Sequence, residues 1–77
     1  MVQAYVLIQA EVGRSGEVAR AVANIPGVRF ADAVAGPYDV IAWAEAPDVD
    51  ALGKFILVQV QAVEGVTRTM TCPVVRL

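Results

Sequence analysis

The chain has 77 residues, of which 57% are hydrophobic and 18% are charged, and its formal net charge is -2. One domain and one core fit this length, and a monomer of this size buries only about 60% of the surface that its unfolded chain exposes, so we expect an obligate oligomer. The six basic residues are scattered rather than clustered, which argues against direct nucleic-acid binding. Residues 1–10 lack a signal-peptide pattern and no apolar run approaches the roughly 18 residues of a membrane span, so we expect a soluble cytoplasmic protein.

The first half of the chain predicts a strand, a helix and a second strand. Apolar and polar residues alternate with a period of two through residues 2–11, which is typical of a strand with one buried face. Ser15 is expected to be the N-cap of a helix whose apolar residues repeat at helical spacing until Pro26-Gly27 ends it. A second strand is then expected over residues 28–35.

The second half repeats this pattern after a turn. The turn is Gly36-Pro37-Tyr38-Asp39, and a third strand follows over residues 40–45. Pro47-Asp48 opens a second helix, and Gly65 ends it. The apolar row of this helix is expected to be Val49, Leu52, Phe55, Ile56, Val60 and Val63. A last strand spans residues 66–77, so the order is β-α-β-β-α-β.

The two halves of the chain resemble each other at the helix exits. Ile25-Pro26-Gly27-Val28 closes the first helix, and Val63-Glu64-Gly65-Val66 closes the second at an equivalent point. Two similar βαβ halves predict a ferredoxin-like α+β fold, a four-stranded antiparallel sheet with two helices on one face. The other sheet face stays bare. We expect a partner subunit to cover it, over Tyr5, Leu7 and apolar residues of the third strand.

Few residues could support catalysis. Histidine is absent, Ser15 is explained by the cap, and Cys72, the single cysteine, has no histidine to activate it and can form no intrachain disulfide. The carboxylates show no metal-ligand spacing, and Asp48 and Asp50 lie in a first helical turn, where the helix dipole favours them. We therefore predict no enzyme, no metal site and no cofactor.

Two polar features are candidates for a binding site. In the turn at residues 36–39, Asp39 either bonds its own turn or faces a ligand ammonium while backbone N–H groups meet the ligand carboxylate. Thr67, Thr69 and Thr71 alternate along the last strand, which puts their hydroxyls in one row. That row either reflects the β-propensity of threonine or lines a small-ligand pocket at a subunit junction.

Together, the element order, the "GPYD" turn, the "IPGV" helix exit and the "GVTRTMT" strand resemble the effector domain of the Lrp/AsnC regulators, which is often called the RAM domain. The resemblance extends over essentially the whole chain, as a single domain of residues 1–77. Nothing in the chain is similar to the helix-turn-helix domain of full-length members. The resemblance therefore implies a stand-alone effector domain that modulates transcription or metabolism through assembly.

The resemblance also implies partners and a site. Dimers would form through the sheet faces and assemble into rings, possible partners include full-length Lrp/AsnC relatives, and an amino acid would bind at junctions between dimers. By position, the implied ligand contacts are Gly36, Tyr38, Asp39, Thr69 and Thr71. Pro73 departs from the family pattern, because it removes a backbone donor from the last strand.

Three other functions compete with this one. An ACT-type amino-acid-binding domain shares the element order but assembles side by side. A ligand-free oligomerisation module would act on full-length regulators by co-assembly alone. A small ferredoxin-like monooxygenase is the enzyme alternative, and the absence of histidine argues against it.

Overall fold

Four strands and two helices make up the computed structural model, which describes residues 1–77. The strands are β1 (Val2–Ala10), β2 (Val28–Ala33), β3 (Val40–Ala46) and β4 (Val66–Pro73). Helix α1 is Ser15–Ala23, and helix α2 spans residues 49–61 in consecutive α-helical (Val49–Ala51), π-helical (Leu52–Leu57) and α-helical (Val58–Gln61) pieces. Neither helix is both long enough and apolar enough to cross a lipid bilayer.

The strands form one antiparallel sheet in the order β2-β3-β1-β4. Strand β1 therefore lies in the middle, and the chain passes through α1 to reach β2 on the far side of β3. The two βαβ units interleave in this way, which confirms the predicted ferredoxin-like class.

One face of the sheet carries the core. The fully buried residues of β1 are Ala4, Val6 and Ile8, which alternate along the strand as the sequence predicts. Val18 and Val22 of α1 and Leu52, Ile56 and Val60 of α2 belong to the same buried cluster, so both helices cover this face. Strand β3 contributes Val40 and three alanines, Ala42, Ala44 and Ala46, whose small side chains let the helices approach the sheet closely.

The predicted apolar row of α2 is only partly right. Leu52, Ile56 and Val60 are buried, whereas Val49 and Phe55 are 70% and 65% exposed. Phe55 lies in the π-helical piece, whose wider turn rotates a residue three positions after Leu52 away from the core, whereas Val49 is the first residue of the helix and lies outside that piece.

The two helices also begin differently from each other. Ser15 is the first residue of α1 and its side chain makes no capping hydrogen bond, so the prediction that it is the N-cap is wrong. Arg14 holds that position and forms ion pairs with Glu11, Glu17 and Glu64. Helix α2 is capped by the side chain of Asp48, whose Oδ1 accepts a hydrogen bond from the Ala51 N–H at 2.7 Å.

Glycine at each helix exit makes the two halves of the chain equivalent. Gly27 and Gly65 have φ of 96° and 97°, in the left-handed region that favours glycine. A Cβ on Gly27 would lie 2.5 Å from Ile56 Cδ1 of α2, and one on Gly65 would lie 3.1 Å from Val18 Cγ2 of α1. Each exit packs against the other helix, so the two exits occupy equivalent positions, as the repeated exit sequence predicts.

Two strands are shorter than expected. Strand β2 ends at Ala33, and β4 ends at Pro73 instead of continuing to residue 77. Pro73 has no N–H to continue the ladder. The next residue, Val74, still donates its N–H to the Gln3 carbonyl at 2.8 Å, which holds the C-terminal segment against β1.

Candidate functional site

The sheet face opposite the helices carries an apolar surface that no element covers. We call it the open face. Strand pairing arranges its centre in two rows that cross all four strands. The first row is Phe30, Trp43, Tyr5 and Cys72, and the second is Asp32, Ile41, Leu7 and Met70.

The centre of the open face is rich in aromatic and long apolar side chains. Tyr5, Phe30 and Met70 are 42–44% exposed, values that are high for apolar residues in the middle of strands. The Tyr5 and Trp43 rings meet edge to face, with centroids 4.7 Å apart and an interplanar angle of 72°. Tyr5 and Leu7 thus lie on the bare face together with Ile41 and Trp43 of β3, as expected.

A polar network borders the open face at one end. Gln3 Nε2 donates to Glu45 Oε2 at 3.0 Å, Arg29 forms an ion pair with the same carboxylate, and Arg76 donates to Gln3 Oε1. The Gln3 amide and then the Arg29 guanidinium hold the pKa of Glu45 below its ordinary value, because both favour the charged carboxylate. This end of the face is therefore polar and fixed.

The turn at residues 36–39 borders the opposite end, and Asp39 anchors it to β1. The Asp39 N–H donates to the Ile8 carbonyl at 2.9 Å, and the Ala10 N–H donates to Asp39 Oδ2 at 2.8 Å. Asp39 Oδ1 accepts no hydrogen bond from the chain. One carboxylate oxygen thus extends the pairing of β1, and the other is available.

The remaining turn residues lie close to β1 and β4. Gln9 Nε2 donates to the Pro37 carbonyl at 3.0 Å, and the Tyr38 hydroxyl donates to Met70 Sδ at 3.6 Å. Tyr38 therefore lies on the open-face side of β4. Gly36 is exposed, with nothing within 4 Å of the position that a Cβ would take.

The threonines of β4 do not form one regular row. The β1–β4 register shifts between Gln9 and Ala10, which pair with Arg68 and Val66, so Thr67 is the extra residue of a bulge. Its hydroxyl donates to the Gln9 carbonyl at 3.2 Å. Thr69 and Thr71 pair with Ile8 and Val6, whose side chains enter the core, so both threonines face the helix side of the sheet.

The predicted site residues therefore fall into two groups within one chain. Gly36, Tyr38 and Asp39 belong to the turn at one end of β1, and Tyr38 lies on the side of the open face. Thr69 and Thr71 lie on the opposite side of β4, which separates them from Tyr38.

A small open cavity lies at the β4 edge of the sheet. Its volume is about 220 Å³, and it is lined by Gln61 from the end of α2 and by Val66, Thr67, Arg68 and Thr69. It is below the roughly 300 Å³ at which small-molecule sites usually begin. Gln61 was not predicted from the sequence, because only the packing of α2 on β4 brings it there.

The fold and these features agree with one known family over nearly the whole chain. The sequence model of the Lrp/AsnC ligand binding domain matches residues 3–77. The chain belongs to the Lrp/AsnC family. This is a family of regulators and not of enzymes, and the match separates the chain from ACT domains and small monooxygenases.

Individual relatives of this Lrp/AsnC chain are similar in sequence and in fold. An uncharacterised HTH-type transcriptional regulator of Pyrococcus furiosus is 34% identical over 55 residues, which are 71% of this chain and 37% of that protein. The chain thus matches little more than a third of that relative's length.

Several solved structures are similar to this chain in fold over nearly its whole length. TTHA0845 of Thermus thermophilus superimposes with a TM-score of 0.90 at 34% identity, covering 100% of this chain and 96% of that one. A hypothetical protein of Pyrococcus horikoshii, PHS023, has a TM-score of 0.88 at 27% identity and covers 100% and 93%. AsnC of E. coli shares the fold with a TM-score of 0.87 at 17% identity, over 99% of this chain and 52% of that protein.

Proposed function

We propose that this chain is an amino-acid-binding regulatory module that pairs with a second copy through the open face and assembles further into a ring. The observation that carries the proposal is the uncovered double row of aromatic and aliphatic side chains on a chain of the Lrp/AsnC ligand-binding family. Aromatic residues and methionine are the types enriched at the centre of protein interfaces, where water is excluded.

The dimensions of the domain support this dimer. The domain measures 34 × 25 × 17 Å, so its broad face is large enough for a specific interface, which buries at least about 1,000 Å² in total. The polar network of Gln3, Glu45 and Arg29 lies at the border of the apolar rows, where a polar rim is expected.

The effector site needs residues from more than one subunit. Tyr38 and Asp39 lie on one side of β4 and Thr69 and Thr71 on the other, and the cavity at Thr69 is too small to enclose a ligand alone. A junction between dimers supplies both groups if the turn of one subunit approaches β4 of another. The proposed contacts are those implied by the family resemblance, namely Gly36, Tyr38, Asp39, Thr69 and Thr71.

An α-amino acid fits the chemistry of these groups. The available Oδ1 of Asp39 accepts from an ammonium group, and the exposed backbone beside Gly36 offers N–H groups to a carboxylate. Threonine hydroxyls both donate and accept, so Thr69 and Thr71 contact polar atoms of either sign. A regulator of Neisseria meningitidis, solved in complex with L-Met, has this fold with a TM-score of 0.82 at 23% identity, covering 97% of this chain and 50% of that one.

The proposed module acts on transcription or metabolism through assembly, in its own rings or in mixed ones with full-length relatives. Its basic side chains do not favour a phosphate-binding surface, because three of the six (Arg14, Arg29 and Lys54) are paired with carboxylates and the others are scattered along the chain. We therefore expect no salt-sensitive binding of duplex DNA by this chain at sub-micromolar affinity.

A thermal-shift screen against the twenty amino acids tests the effector proposal, and light scattering tests the assembly. A ligand at a hundred times its Kd adds about 2.7 kcal/mol to the free energy of unfolding, which gives a clear rise in melting temperature. A stable monomer at micromolar concentration would contradict the assembly. No shift with any amino acid would favour the ligand-free oligomerisation module instead.

A further inference from the structure

Two charged side chains on the open face have no partner within the chain. Asp32 lies on the edge strand β2 and Arg68 on the opposite edge strand β4, and neither forms an ion pair or a side-chain hydrogen bond. Asp32 pairs with Ile41 and Arg68 with Gln9, positions whose side chains point to the open face. Arg68 also borders the cavity, which lies at the same strand edge.

We infer that the open face is self-complementary in charge, so that Asp32 of one subunit pairs with the partner's Arg68 and the reverse. This inference rests on the proposed dimer through the open face. It adds to that dimer an orientation and a pair of residues that determine which surface of the second copy is recognised.

Burial makes a partner for Asp32 necessary. Its row continues with Ile41 and Leu7, so a covering subunit removes water from beside the carboxylate. A carboxylate buried without a cation is strongly destabilising. The other arginines that reach this face are already engaged, since Arg29 pairs with Glu45 and Arg76 bonds Gln3.

The signs of the two charges select the orientation of the dimer. A twofold axis that crosses the strands places each edge strand over its own counterpart, which brings like charges together at both edges, and this is unfavourable. A twofold axis parallel to the strands lays β2 of one subunit over β4 of the other. Each Asp32 then faces the edge that carries the partner's Arg68.

The spacing along the strands is compatible with such a pair. Asp32 lies in the same row as Met70, and Arg68 is two residues farther along β4. Two residues of a strand span about 7 Å, a separation that a long arginine side chain bridges. The same contact occurs twice in the dimer, because a twofold interface is isologous.

Charge reversal tests the pair, with sedimentation equilibrium as the readout. Asp32→Arg places two arginines at each contact, and Arg68→Asp places two carboxylates there. The dimer dissociation constant of each single variant should be at least about tenfold higher than that of the parent. The double variant Asp32→Arg/Arg68→Asp restores opposite charges and should regain dimerisation, which also shows that the weakening is not a failure to fold.

Mixing the two single variants gives a second, independent test. In a mixed dimer both contacts again join opposite charges, so native mass spectrometry of an equimolar mixture should show heterodimers in excess over both homodimers. Single variants that associate like the parent, or a double variant that associates no better than the singles, would overturn the inference. So would a mixture without preference for heterodimers.

Leu7→Asp separates this inference from the proposed function. Leu7 lies at the centre of the open face, so its replacement by a carboxylate should abolish the dimer whatever the orientation. If Leu7→Asp dissociates the dimer and the charge variants do not, only the Asp32–Arg68 pair fails. If Leu7→Asp leaves the dimer intact, the proposed interface itself is wrong and the charge inference fails with it.

Discussion

Asp39→Asn is the most direct test of the proposed effector site, because the two oxygens of Asp39 have different surroundings. Oδ2 accepts from the Ala10 N–H at 2.8 Å, and Oδ1 accepts nothing from the chain. Asparagine keeps one acceptor oxygen of nearly the same shape and position, so it preserves the bond to Ala10 and loses the negative charge. The substitution therefore separates the anchoring of the turn from the recognition of an ammonium group.

The expected magnitudes differ for the two roles. The bond to Ala10 changes from a charged to a neutral acceptor, which lowers the free energy of unfolding by about 1 kcal/mol. A charge-assisted hydrogen bond to a ligand ammonium contributes about 1.5–3 kcal/mol, so its loss should weaken amino-acid binding roughly ten- to a hundred-fold or more. If Asp39 only anchors its turn, Asp39→Asn should cause the small loss of stability and leave the affinity for the amino acid unchanged.

Titration calorimetry measures the affinity, with the amino acid that raises the melting temperature most, and light scattering confirms that the oligomer persists. Thr69→Val is the companion variant, since it keeps the strand shape and deletes one hydroxyl. Asp50→Asn is the matched control, because it neutralises an exposed carboxylate on α2 that pairs only with Lys54. Unchanged affinity in both Asp39→Asn and Thr69→Val, with the fold intact, would refute the proposed contacts.

Three further predictions concern the fold and the open face. Gly27→Ala should lower the free energy of unfolding by about 2–5 kcal/mol in urea titrations, through a positive φ and a Cβ only 2.5 Å from Ile56 Cδ1. Gly13→Ala, with φ of 82° and no neighbour within 4 Å, should cost only about 1–2 kcal/mol, and equal losses would contradict the close-contact argument. Because the folded pKa of Glu45 is lowered, its stabilising contribution is present above the unfolded pKa and is lost as the pH falls through the folded value. The stability difference between the parent and Glu45→Gln should therefore shrink as the pH falls below about 4.3, the ordinary pKa of a glutamate carboxyl, and a constant difference would rule out the network as the source of this stability. Cys72 is exposed on the open face of a single chain, so its alkylation should slow as protein concentration rises and the dimer forms, whereas a concentration-independent rate would argue that another surface is used.

Local patterns in the sequence were sufficient for the element order and the sheet faces. The period-two alternation of β1 determines which residues enter the core, because neighbouring side chains of a strand point to opposite faces. The glycines at 27 and 65 mark both helix exits, since each adopts a backbone conformation that favours glycine. The bare face also follows from the sequence, because two helices connected in this order cover only one side of four strands.

The remaining features of the fold and the site depend on pairing between segments that are distant in the sequence. The bulge at Thr67 exists only in the register of β4 against β1, and it breaks the row that strict alternation predicts. The hydrogen bond that anchors Asp39 to Ala10 joins residues that are 29 positions apart in the sequence. The N-cap of α1 is Arg14 and not the predicted Ser15, and Arg14 also forms an ion pair with Glu64, which lies near the end of α2. The sequence alone thus determined the fold class and the candidate residues. Only the tertiary structure showed that these residues lie on two sides of β4, because the side on which a residue lies depends on strand pairing and not on its own neighbours.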